Sequence, residues 1–527
     1  MQKIEAIAAE KTHITIQICG ASACAEGQRY LVDVRMPYAQ NEPALRPERT
    51  IFPSIHVDLD QSCTYLSFSR YAQEQDLLFC KFHVYVETSG TTRRLDGPCY
   101  ATQLDRIARW DYAYPCAGTK KGLQVKVMED ALQLGIGHAA LNVNLPCIVQ
   151  ASGDRHAIEF HLDGRTFYFN RAYMEMLDQK IRKLSDRNVV VNLIILVRSE
   201  WHGVWGDPDL TPVLLHPALH PDGIVSAFHV TSERAWTLYR ACLEFLAERY
   251  MGPDPSCGRA CGWIIGNEVN AQWIYSNCGE MEMSEFIRQY QIALRTAFYA
   301  ARKYYAQVRV YVSLDHCWNI RTGDNDLRFY KGKDFLRELA ARIRSEGDFS
   351  WNLAYHPFPQ DLSRADFWND DMAERNVDTP KITFRNIEIL PEIMAQAPFL
   401  YAGQRRHIIL SEQGLCSGHT PADEQLQADA FVLAYRKIAE ILEIDAFIYH
   451  SHIDEKKEGL FLGLLAEDGR KKPIHACFAA IDGPEGESLF HCAKARVGEG
   501  NCEKIQPSPV SKFVLPSGGF SREGGWE

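Results

Sequence analysis

From Gly118 onward the chain alternates short apolar runs with amphipathic stretches of helical period, and the apolar runs can be counted to eight. Continuous apolar runs suit strands buried on both faces, and the amphipathic stretches between them suit helices laid over a parallel sheet. The strands are expected at 122–127, 138–144, 189–197, 262–267, 308–314, 350–356, 407–411 and 445–450, and the main helices at 171–186, 232–249, 283–305, 334–344, 424–441 and 473–480. The first crossover, near 129–136, carries the weakest helical pattern. Eight strand-helix units close a (β/α)8 TIM barrel, so an α/β barrel is expected over 118–485.

The flanks read differently. Residues 1–117 offer β-branched and aromatic runs (HITIQIC, RYLVDVRM, TYLSFSRY, LLFCKFHVYVET) broken by Gly, Pro and Asp, which predicts an all-β, sandwich-like accessory domain. Residues 486–527, rich in Pro, Gly and Ser, are expected to be an irregular C-terminal tail. Two insertions interrupt the barrel pattern: a hairpin-like EFHLDGRTFYFN at 159–170 and a long loop at 201–230. The second follows the third strand, and loops in that position line the C-terminal face where barrel sites sit.

Composition narrows the partners. A net charge of -11 argues against a nucleic-acid or anionic-membrane surface, because phosphate binding needs an excess of lysine and arginine. No stretch approaches the roughly 18 apolar residues of a membrane span, and the N-terminus lacks a basic head followed by an apolar run. A cytoplasmic protein is expected, secreted only if a signal peptide has been removed. The 16 cysteines lie scattered in apolar segments, as at Cys147, Cys242 and Cys477, and are expected to be reduced thiols.

Two carboxylates stand at the ends of apolar strands. The fourth strand reads GWIIGNEVN and delivers Glu268; the seventh reads HIILSEQG and delivers Glu412. A carboxylate there is costly unless it is hydrogen-bonded or used. Strands four and seven lie across the ring from each other, so the two side chains face one another over its mouth. Retaining glycosidase chemistry needs such a pair, one carboxyl protonating the leaving oxygen and the other attacking the anomeric carbon, about 5 to 5.5 Å apart.

Asn267 followed by Glu268 at the end of strand four, with Glu412 ending strand seven, resembles the clan A glycoside hydrolases, families 5 and 39 among them, over roughly 118–482. The resemblance implies that Glu268 is acid/base, that Glu412 is nucleophile and that Asn267 holds the sugar 2-hydroxyl. It also implies a preference for β-linked sugars. Members of the clan usually carry Pro after the acid/base where this chain has Val269, which marks a divergent branch.

Further candidates for substrate binding surround the pair: His356 at the end of strand six, Asp315 and His316 after strand five, Asn144 after strand two, and His450 and Asp454 after strand eight. Many clan A enzymes place a tryptophan at the end of strand eight. This chain does not, and Trp273 or Trp201 is expected to supply the stacking face instead. The expected substrate is a glycoside or oligosaccharide, cleaved with no cofactor and no metal. Two rival readings remain open. His316, His356, His450 and His452 could serve a metal-dependent hydrolase, and the barrel could be an inactive carbohydrate-binding protein.

Overall fold

The computed structural model describes residues 3–20, 28–39, 44–58 and 62–506. Its N-terminal part is a sandwich of two four-stranded antiparallel sheets, one ordered Lys3–Ala9, His13–Cys19, Cys63–Ser69, Ser54–Val57 and the other Thr91–Cys99, Lys81–Thr88, Gln28–Arg35, Thr50–Ile51. The alternation in HITIQIC sends Ile14, Ile16 and Ile18 into the core between the sheets. In the second sheet, Lys81–Thr88 and Gln28–Arg35 are largely buried on both faces, because the barrel covers the outer one. Lys81 there pairs with Glu346 of the barrel at 2.9 Å.

One expectation about cysteine fails in this domain. Cys19 and Cys63, opposite each other on neighbouring strands, form a disulfide, while the other described cysteines are free. Their separation of 44 residues is closed only by strand pairing, which composition does not reveal.

The barrel is closed by eight parallel strands in chain order: β1 (Lys121–Gln124), β2 (His138–Asn144), β3 (Val190–Leu196), β4 (Gly262–Ile265), β5 (Arg309–Leu314), β6 (Trp351–Tyr355), β7 (Ile408–Leu410) and β8 (Ile444–Tyr449). All eight expected strands are present, most of them shorter than the apolar runs that announced them. The covering helices start at side-chain caps: Asn170 caps Arg171–Ser185, Ser232 caps Glu233–Tyr250, and Thr420 with Asp423 forms a capping box on Pro421–Ala439. The weak first crossover is a short helix, Met128–Gln133. Among the described residues no helix is long and apolar enough to cross a membrane.

The barrel axis is filled by Ala140, Ile194, Leu196, Ile264, Tyr311, Ala354, Ile409, Ala446 and Ile448, an apolar cluster drawn from seven of the strands. Strand side chains alternate between faces, so the inward position two residues further along a strand points towards the C-terminal mouth. From six of the strands that layer is polar, with Gln124, Asn142, Ser313, His356, Ser411 and His450.

Both insertions fold. Ala157–Leu162 and Arg165–Asn170 make the expected hairpin, and the loop after β3 holds a small one, Glu200–Trp201 paired with Val204–Trp205. The expected irregular tail is corrected over its first part, which forms helices Gly486–Val497 and Glu499–Glu503. The first is tied to Pro421–Ala439 by Arg496 on Asp429 at 2.5 Å. The Pro, Gly and Ser that suggested irregularity are concentrated in 507–527, outside the described residues, whereas GESLFHCAKARV itself is rich in helix formers.

Candidate active site

After β4 the backbone takes two unusual steps, Gly266 at φ 80° and Glu268 at φ 39°. A positive φ is costly for a residue with a Cβ and persists only where the surroundings fix it. Here Ser313 of β5 does so, its Oγ accepting from the Glu268 N–H and its carbonyl from the Val269 N–H, both at 3.0 Å. The turn aims Glu268 into the mouth with its side chain 13% exposed. Burial raises the Glu268 carboxyl above the ordinary carboxylate range, and the negative charges of Asp315 and Glu412 add to the rise. The hydrogen bond and charge of His356 oppose it without cancelling it.

His356, buried at the end of β6, places Nδ1 2.8 Å from Oε1 of Glu268. Its Nε2 lies 3.0 Å from Oγ of Ser411 and 3.4 Å from Oγ of Ser313. Burial alone would lower the imidazole, but the bond to Glu268 and the charges of Glu412, Glu268 and Asp315 outweigh it and raise it. With both partners raised, the pair keeps a shared proton at a pH where an exposed glutamic acid has lost its own.

Glu412 stands just beyond β7. Gln124, from β1, donates through Nε2 to Oε2 of Glu412 at 2.9 Å and to the Ser411 carbonyl at 3.3 Å. Because a carboxylate can only accept, the amide must turn its nitrogen this way, and its oxygen accepts from Nδ1 of His450 at 3.0 Å. A neutral amide thus fixes the second carboxylate without adding charge.

The other candidates divide. Asp315 lies beside the pair, but its oxygens are engaged by Asn270 Nδ2 at 2.5 Å, the Cys317 N–H at 2.9 Å and Thr322 Oγ1 at 2.5 Å. Burial raises it despite these bonds, and it pins the β5 end to the turn after Glu268. Asn267 is half-buried next to Glu268, and its side-chain amide makes no hydrogen bond with the described residues. His450 enters the site through Gln124.

Four expectations need correction. His316 is buried and accepts from the Lys381 ammonium at 2.8 Å; burial first, then the Lys381 charge, push it down to about 3, so it serves that lysine. Asn144 clamps the backbone of Arg198 through both ends of its amide. Trp273 is only 8% exposed, its ring covered by Arg328 at 3.8 Å and by His220 at 4.6 Å. Trp201 and Tyr275 are the aromatic rings that meet the axial cluster instead. Asp454 is buried in an ion pair with Lys472 at 3.1 Å and accepts from the Gly463 N–H, which ties the β8 loop to itself. His452, a rival metal ligand, accepts at Nδ1 from the N–H groups of Lys126 and Val127 and donates from Nε2 to Asp130.

Sequence reasoning missed Gln124, Ser313 and Ser411. For the two serines the signal was available, because counting by two from Tyr311 and from Ile409 in the axial cluster reaches Ser313 and Ser411, whereas Gln124 follows Gly122 and has no apolar inward residue to count from.

Residues 113–505 match the model of a family described as "Family of unknown function (DUF5722)". The chain belongs to this family. No curated protein matches it by sequence. Solved structures similar to it include a family 39 glycoside hydrolase from the gut symbiont Bacteroides cellulosilyticus WH2, at 10% identity over 91% of this chain and 82% of that one, TM-score 0.45. Others are GH5_18 from Streptomyces cattleya in complex with GlcNAc, at 16% identity over 72% and 80%, TM-score 0.41, and a family 1 b-glucosidase from Thermotoga maritima, at 10% identity over 67% and 84%, TM-score 0.40.

Proposed function

We propose that this protein is a retaining glycoside hydrolase that cleaves O-glycosidic bonds by double displacement, with Glu268 as general acid/base and Glu412 as nucleophile. The observation that carries this reading is the unequal setting of two carboxyls at one barrel mouth. Burial raises the Glu268 carboxyl, which is hydrogen-bonded to His356, while Glu412 is held by an amide donor. Two carboxyls whose surroundings differ in this way suit opposite halves of an acid-base task.

In the first step a carboxylate oxygen of Glu412 bonds to the anomeric carbon as the bond to the leaving oxygen breaks, and the proton held by Glu268 passes to that oxygen. In the second, Glu268, now a carboxylate, takes a proton from water whose oxygen attacks the anomeric carbon, and the bond to Glu412 breaks. Asn267, with its amide unengaged, stands where it can bond the sugar hydroxyl next to the anomeric carbon. β-Linked glycosides and oligosaccharides are the substrates to try first, a preference resting on the sequence resemblance.

The test is azide rescue. Glu268→Ala should lose activity on natural glycosides and regain it with azide and an activated aryl glycoside, giving a glycosyl azide of retained configuration. Glu412→Ala should give the inverted azide. The same product from both variants overturns the assignment of roles.

A further inference from the structure

Two cations, Arg198 and Lys457, come to the mouth from the loops after β3 and β8. Asn144 holds the root of the loop after β3, accepting from the Arg198 N–H at 2.7 Å and donating to its carbonyl at 3.0 Å. So fixed, the half-buried Arg198 guanidinium lies 5.0 Å from the centre of the Trp201 ring. Trp201 in turn packs on the axial cluster beneath the catalytic carboxyls. From the loop after β8, the exposed Lys457 closes the other side. Together with Glu200, His202 and Gly203 these residues line an open cavity of about 400 Å³, within the roughly 300–1,000 Å³ of small-molecule sites.

Arginine is seldom withdrawn from water without a partner. Among the described residues Arg198 donates no side-chain hydrogen bond; the charge of Glu200 acts on it from a distance, while Glu200 itself accepts from the Gly203 N–H. Lys457 extends into solvent at the rim of the cavity. In a chain of net charge -11, with Glu268, Asp315 and Glu412 at the same mouth, an anionic ligand would be turned away unless local cations received it.

We propose that this cavity is a subsite for an anionic substituent of the sugar, a carboxylate or a sulfate ester, received by Arg198 and Lys457 with Trp201 as the apolar wall. A guanidinium fork matches either group with two parallel hydrogen bonds, and an indole suits the apolar face of a sugar ring. The inference rests on the glycosidase reading and names the substrate class for it.

Calorimetric titration of Glu412→Gln, folded but unable to turn over, tests it. Oligogalacturonate and hyaluronan fragments supply carboxylates, a carrageenan fragment supplies sulfate, and cello-, manno- and xylo-oligosaccharides of equal length are the neutral arm. At least one acidic ligand should bind about tenfold or more tighter than every neutral one. That advantage should disappear when Arg198→Gln is added, shrink with Lys457→Gln and weaken with added salt. The arm that binds decides between carboxylate and sulfate. Neutral ligands binding as tightly as acidic ones, no acidic ligand binding at all, or indifference to Arg198→Gln would each overturn the subsite. The two readings fail separately. Neutral oligosaccharides cleaved by the unaltered protein, with no preference for acidic ones, would leave the hydrolase and remove the subsite. Acidic ligands bound through Arg198 and never cleaved would do the reverse.

Discussion

His356 touches Glu268 through one nitrogen and, through the other, Ser313 of β5 and Ser411 just beyond β7, so it both holds Glu268, the proposed acid, in place and sets its proton affinity. Since its bond and charge lower the Glu268 carboxyl, His356→Asn lets that carboxyl rise. The basic limb of kcat/KM, which follows loss of the acid's proton, should therefore move to higher pH. The kcat should fall about tenfold or more, and a pH-rate series checks both. On the other side, Gln124→Glu sets a second carboxylate against Glu412. Like charges disfavour ionisation, so the acid limb should move upward in the same kind of series, with the unfolding temperature little changed. The position of Glu268, Glu412 and His356 at the barrel mouth was legible in sequence because ionisable residues ending apolar strands stand out. Gln124 was not, since a neutral amide leaves no such mark, and Asp454 misled because its partner Lys472 comes 18 residues later in a loop whose path the sequence does not show.

At the level of elements, the turn after β4 does more than join strand to helix. Gly266 sits at φ 80°, and a Cβ there would meet Cγ1 of Val269 at 3.0 Å. Gly266→Ala should destabilise the protein by about 1 kcal/mol or more, measured by urea unfolding. It should also lower kcat more than it raises KM, because the turn aims Glu268. The eight strands were countable because each is an apolar run of the length a barrel strand needs. Their ends were overestimated, since apolar residues such as Val125 and Val197 continue past the last ladder bond. The hairpin at 200–205 escaped notice because two-residue strands carry no period to detect.

Across the whole molecule, a buried ionic network joins sandwich to barrel. Arg70 of the sandwich grips Asp76 at 2.6 and 2.7 Å. Lys303 of the barrel reaches Asp76 at 3.1 Å and Glu244 at 2.5 Å. Arg240 bonds Glu244 at 2.7 Å and Asp163 at 2.6 Å. Burial by itself would raise Asp76, but Lys303 and Arg70 hold it well below the usual carboxylate range. Lys303→Met leaves Asp76 and Glu244 short of a counter-charge and should cost about 3 to 5 kcal/mol, again read by urea unfolding. The sequence showed two domains and gave no hint of this bond between them, because charges on different elements meet only after folding.

That network has a bearing on what counts as one heritable part. The segment that matches the family model starts at residue 113, after the last strand of the sandwich, yet Lys303 within it is bonded to Asp76 outside it. The edge of the matched segment and the edge of physical self-sufficiency therefore fall in different places. A barrel carried without this sandwich would have to give Lys303 another partner in place of Asp76 or cover it with something else.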